Sequence, residues 1–147
     1  MFGLDSVLSK EKAKQLNPVV LAFVGDAVFS LYVRERLVFS GEGKAADFQR
    51  AASAVVSARG QSEFLNELLP LFTEEEEEIY RRGRNAKKST KSKNASAAEY
   101  NRSTGFEAVL GYLYAIGEKA RIDELLSHLK EDFFQGVHSA QAYKPAR

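Results

Sequence analysis

The sequence predicts an all-α fold, on three observations. Apolar residues recur at three- and four-residue intervals along most of the chain. Helix-capping residues stand where those segments start and stop, and no stretch shows strand alternation, a hairpin dipeptide or an internal repeat. The chain has 147 residues, 44% hydrophobic and 28% charged. That is the make-up of one domain with a core, of a size that buries roughly 70% of its extended surface.

Taken in order, Asn17-Pro18 reads as N-cap and first residue of a helix running to about Phe39 and closed by Ser40-Gly41. A second helical region spans about Lys44 to Leu69. It carries apolar residues at Ala45, Phe48, Ala52, Val55 and Val56, then Phe64, Leu65, Leu68 and Leu69, with a break expected at Gly60 and a stop at Pro70. Thr73 and Glu76 form a capping box for a third helix to about Arg82, its acids leading and its arginines trailing as the helix dipole favours. Gly83 to Ala98 is rich in Lys, Ser, Asn and Thr and reads as a loop of some fifteen residues, a length that in a compact domain is either functional or disordered. A helix from about Tyr100 or Ser103 to Gly117 follows, then one from about Ile122 to Phe134 with a stripe of Ile122, Leu125, Leu126, Leu129 and Phe133. Residues from about 139 to 147 read as a frayed tail.

Composition removes several chemistries. There is no cysteine, hence no disulfide, thiolate nucleophile or cysteine-type zinc site. The two histidines, His128 and His138, lie ten apart and far from the isolated acids described below, which argues against a catalytic triad or a histidine-rich metal site. No basic and apolar leader opens the chain, and no uncharged apolar run reaches about 18 residues, so a cytoplasmic protein without a membrane span is expected. The net charge is only +1 but is unevenly spread. Glu74 to Glu78 are consecutive acids, whereas Arg81, Arg82, Arg84, Lys87, Lys88, Lys91 and Lys93 fall in a stretch with no acid at all.

Two nearly uncharged segments, Val19 to Val33 and Ser103 to Gly117, each hold a single carboxylate, Asp26 and Glu107. A carboxylate removed from water costs several kcal/mol unless something pairs it. Such acids sit at a groove, hold a cation, or pair with an arginine, and spacing alone leaves all three open. On a helix Asp26 shares its face with Ala22, Phe23, Phe29 and Ser30, and Gly25 beside it permits close approach. Glu107 shares its face with Ser103, Thr104 and Gly111. Apolar residues surround the first segment on every side, so that helix is either central or covered in part by a second subunit.

These residues carry a resemblance. Leu21-Ala22-Phe23-Val24-Gly25-Asp26 resembles the ribonuclease III signature Leu-Glu-Phe-Leu-Gly-Asp, and Phe106-Glu107-Ala108, with Gly111 and Tyr114, resembles that family's second acidic motif. With Arg82-Gly83-Arg84-Asn85-Ala86-Lys87 between them, the order and spacing are most similar to the Mini-ribonuclease III subfamily, which is the catalytic domain without a double-stranded-RNA-binding domain. The resemblance implies a homodimeric, Mg²⁺-dependent endoribonuclease (Mn²⁺ substituting) that cuts double-stranded RNA to 5′-phosphate and 3′-hydroxyl ends. The implied substrate is the precursor of large-subunit (23S) ribosomal RNA, with a ribosomal protein as a further partner. Asp26 and Glu107 match catalytic metal-site carboxylates, and Phe23 matches the aromatic that packs into the partner subunit. Ala22 and Thr104 stand where ribonuclease III proper has acids, so two of its four carboxylates remain. Thr104 and Ser103 are then candidates to hydrogen-bond a metal-held water.

The basic stretch suits an A-form duplex, which is read through phosphates, shape and 2′-hydroxyls. Arg82, Arg84, Asn85, Lys87, Lys88, Lys91 and Lys93 are the expected RNA contacts. A solvated linker is the plainer reading of the same residues. The alternative to an enzyme is a helical RNA- or ribosome-binding module that lost catalysis with Ala22 and Thr104.

Overall fold

The computed structural model describes residues 7–88 and 95–135 and the backbone of 144–145. Eight helices account for nearly all of it: α1 (Lys10–Gln15), α2 (Pro18–Ser40), α3 (Ala45–Val56), α4 (Ala58–Leu68), α5 (Glu74–Asn85), α6 (Ala97–Ala115), α7 (Lys119–Leu126) and α8 (Asp132–Gln135). A 3-10 turn, Leu69–Leu71, follows α4. The all-α expectation holds apart from two two-residue strands, β1 (Gly41–Glu42) and β2 (Lys144–Pro145), which pair antiparallel. Only 144–145 of the predicted tail is described, and His138 lies outside the described residues.

The predicted caps at Asn17 and Thr73 form. Asn17 Oδ1 accepts from the Val19 N–H at 2.8 Å, and the Thr73–Glu76 box closes in both directions. Several boundaries differ. The break between α3 and α4 falls at Ser57, not Gly60, because the Ser57 hydroxyl accepts from the Gly60 N–H and caps α4. Gly60 is instead where α4 presses on the carbonyls of Ala54 and Val55. The predicted loop at 83–98 is shorter at both ends. Gly83 lies inside α5, where a Cβ would meet Gly105 Cα at 2.9 Å, and a Ser96–Glu99 capping box starts α6 at Ala97. The single helix expected from Ile122 to Phe134 is two, α7 and α8. Helix α1 had no counterpart in the sequence reading; the Ser9 hydroxyl caps it.

Helix α6, not α2, is the central one. From Ser103 to Leu113 every residue of α6 except Glu107 is buried, and α2, α4 and α5 all pack on it. Helix α2 buries one face (Leu21, Ala22, Gly25, Val28, Phe29, Val33 and Leu37) and leaves Val20, Phe23, Val38 and Phe39 exposed on the other. Of the two alternatives for this helix, coverage by a second subunit is the one left open. Phe29, Phe64 and Phe106 meet in the core, with Phe106 edge-on to Phe29 at 5.0 Å and to Phe64 at 5.9 Å between ring centroids. Edge-to-face pairs of this kind add about 0.5–1.5 kcal/mol each beyond their buried area. Arg121 pins α7 to α5 through two 2.8 Å bonds to the buried Glu76, and Gly117, at φ +82°, ends α6.

The α2–α6 crossing is a backbone contact. A Cβ on Gly25 would overlap the carbonyl of Glu107, and one on Gly111 would overlap the carbonyl of Leu21. Neither obstacle is a flexible side chain, so relief requires moving a helix. Gly25→Ala is expected to lower unfolding free energy by about 3 kcal/mol or more, the upper range for overpacking, as read from the urea midpoint. A near-native midpoint would show that the crossing relaxes.

Candidate active site

Residues adjoining that crossing are the two isolated acids that the sequence singles out. Because Gly25 lies against the backbone of Glu107, the next residue on α2, Asp26, is delivered to the side chain of Glu107, although the two are 81 positions apart in sequence. The two acids line one cavity, and Asp26 is near enough to act on the Glu107 carboxyl. Asp26 is exposed and Glu107 half-buried. Among the described residues neither acid pairs with a base, which removes the arginine-paired reading of both.

They open into a cavity of about 460 Å³ that also takes in Gln61, Lys88, Tyr100, Ser103 and Thr104. Burial pushes the Glu107 carboxyl up to about 8, aided by the hydrogen bond and negative charge of Asp26 and opposed by a hydrogen bond from Gln61. Two like charges held this close are stable together only when a proton or a cation lies between them. Ser103 and Thr104 turn their hydroxyl protons inward, to Tyr100 O at 2.8 and 3.0 Å. They therefore offer the cavity acceptor lone pairs only.

The basic residues divide. Arg82 donates to Leu16 O at 3.3 Å, tying α5 to the α1–α2 turn, and Arg84 lies over the Tyr80 ring and bonds Asn85 Oδ1. Those two side chains are engaged by the fold. Lys88 lines the acid cavity while its ammonium donates to the carbonyls of Gly83, Arg84 and Ala86 at 2.7–3.1 Å, closing the C-terminus of α5. Burial lowers its pKa from the ordinary lysine value. Lys87 and Asn85 are exposed, and Lys91 and Lys93 lie outside the described residues.

Gln61 is the residue that motif reading missed. It is 2% exposed and donates one amide nitrogen to both Val56 O (2.8 Å) and Glu107 Oε2 (3.2 Å). A signal existed: Gln61 continues the buried stripe of Phe64, Leu65 and Leu68 on α4, where a polar residue is out of place.

The ribonuclease III domain model matches residues 19–118, which takes in both acids and Gln61. The chain belongs to the ribonuclease III family. Among its relatives are the Mini-ribonuclease 3 of Enterococcus faecalis, 44% identical over 116 residues that are 78% of this chain and 88% of that protein, and that of Symbiobacterium thermophilum, 46% identical over 111 residues, 76% and 85% of the two chains. The crystal structure of a Fusobacterium nucleatum protein superimposes with a TM-score of 0.73 at 25% identity, covering 79% of this chain and 94% of that one. The chain is thus an endoribonuclease of the Mini-ribonuclease III kind.

With no metal bound, the raised pKa of Glu107 has a consequence for stability. The folded protein keeps a proton that the unfolded chain releases near 4.5. The stabilisation is therefore complete below pH 4.5 and is lost as pH rises through about 8, with a slope approaching about 1.4 kcal/mol per pH unit in between. In urea unfolding with divalent ions chelated, Glu107→Gln is expected to flatten the change between pH 5.5 and 7.5. Parallel wild-type and variant curves would contradict it.

Proposed function

We propose that this ribonuclease III-family protein cleaves double-stranded RNA as a homodimeric catalytic domain, with Asp26 and Glu107 holding a divalent metal ion. The observation that carries the reading is that two acids from α2 and α6 line one cavity and, among the described residues, neither is in an ion pair. The donor set fits Mg²⁺, with Mn²⁺ as substitute: it is all oxygen, and Mg²⁺ keeps several waters and takes only one or two protein carboxylates. Among the described residues no third His, Cys, Asp or Glu joins the pair, so water and phosphate oxygens complete the shell. When bound, the ion supplies the charge that activates a hydrolytic water and offsets charge on the leaving 3′ oxygen. Asp26, exposed at the cavity mouth, meets substrate first, and Glu107 anchors from below.

Lys88 lines this cavity and, with Lys87, Lys91 and Lys93 near it in sequence, belongs to the positive stretch that suits duplex phosphates. Arg82, Arg84 and Asn85 support that stretch through α5. The homodimer rests on the outer face of α2. There Phe23 is 82% and Val20 51% exposed, beside an apolar recess of about 230 Å³ lined by Val20, Val24, Leu16 and Tyr114. The family resemblance alone supports the 23S ribosomal RNA precursor as substrate, a ribosomal protein as helper and the cytoplasm as location. Among the described residues no helix is long and apolar enough to cross a membrane.

Purified protein, a duplex RNA and Mg²⁺ test the activity. Cleavage is expected to require Mg²⁺ and to fall on the order of 10³-fold or more in Asp26→Asn, the equivalent of several kcal/mol of lost stabilisation. Duplex bound but uncut by the wild type would select the binding module. For assembly, light scattering is expected to give twice the chain mass for wild type and the single-chain mass for Phe23→Asp; equal masses would reject the α2 interface.

A further inference from the structure

Gln61 sits under the acid pair with an arrangement that packing does not require. Its side chain is buried on the core stripe of α4 among residues where an apolar group would serve. Its nitrogen reaches two acceptors, Val56 O at 2.8 Å and Glu107 Oε2 at 3.2 Å, and both of its N–H bonds are thereby used. Its oxygen, Oε1, is buried without a hydrogen-bond partner among the described residues. The amide orientation is fixed by this geometry, since the reverse would set an acceptor against a carbonyl and a carboxylate. The backbone around it is equally constrained. Ser57 caps α4, and the close seating of Gly60 on Ala54 and Val55 brings residue 61 inward.

We infer that Gln61 is a positioning residue: its amide, braced on the Val56 carbonyl, fixes the Glu107 carboxylate in the orientation that binds the metal ion, and does so at the expense of an unpaired buried carbonyl. An unpaired buried acceptor costs about 1–3 kcal/mol, so its presence calls for a role. Of the groups around Glu107, Gln61 is the donor and Asp26 the competing acid. Gln61 thus holds Oε2 of Glu107, which with Asp26 lines the cavity. This inference rests on the metal-site reading above.

The test uses Gln61→Met, which keeps length and volume and removes the amide, with Gln61→Leu as a second apolar variant. Mn²⁺ binding without RNA, read as free Mn²⁺ by electron paramagnetic resonance, is expected to weaken about 10- to 100-fold, the usual effect of losing a group that orients a metal ligand. The melting temperature of the metal-free protein is expected to change little, since loss of the orphaned carbonyl offsets loss of the donor to Val56 O and Glu107. Single-turnover cleavage at saturating duplex is expected to fall in parallel and to recover in part at high Mn²⁺. Unchanged Mn²⁺ affinity in either variant overturns the inference, as does a melting temperature that falls while affinity holds, which would make Gln61 a packing residue. Asp26→Asn, run beside them, separates the two readings. If wild type and Asp26→Asn bind Mn²⁺ equally weakly, the metal site itself is rejected and the role of Gln61 with it.

Discussion

The contact between α2 and α6 at Gly25 and Gly111 governs the molecule. Each glycine lies where a Cβ would strike a carbonyl of the opposite helix, so the two backbones approach closer than any other residue type allows. Each glycine costs its helix about 1 kcal/mol relative to Ala, and burial around the crossing offsets it: Leu21 and Phe29 on one helix and Phe106 and Leu110 on the other are at most 1% exposed. Gly83 and Gly105 repeat the device one helix further on, seating α5 against α6. The site's geometry is thus inherited from core packing. Asp26 and Glu107 meet because their neighbours cannot be anywhere else.

That placement sets fold against function. Packing favours a neutral group at position 107, on a helix otherwise buried from residue 103 to 113, yet it holds an acid facing another acid. Without a cation the cheapest resolution is to keep one proton between the pair. With a cation the same closeness becomes favourable, because one ion balances both charges at once. The metal-free protein is therefore less stable near neutral pH than its core would allow, a cost carried by the two acids proposed to hold the ion.

How far this was legible in the sequence depended on the range of the physics involved. Caps are local, so Asn17 and the Thr73–Glu76 box could be read directly. The lone acids stood out because a charge in an apolar segment needs an explanation at any range. Glycine was misread for the opposite reason. Gly60 and Gly83 look like breakers by propensity, but both sit inside helices because a neighbouring backbone occupies the space a Cβ would take. The Ser96–Glu99 box was local and readable, and was hidden only by the polar run before it. Gln61 joined the site through a contact 46 positions away in sequence, and nothing local announced that partner.

The basic stretch divides along similar lines, and the division bears on how substrate enters. Arg82 and Arg84 have protein partners that the fold would miss, whereas Lys88 is held by three carbonyls at the end of α5, a purely electrostatic arrangement without a carboxylate. Carbonyl dipoles are weaker partners for an ammonium than a phosphate. On the proposed function, a duplex at the acid cavity would bring a better partner for Lys88 than the one it has, and burial has already stripped part of its hydration. The end of α5 would then lose this cap as the phosphate gained a cation. On that reading, grip on the RNA backbone and the capping of α5 are coupled through one side chain, which lines the same cavity as the two acids.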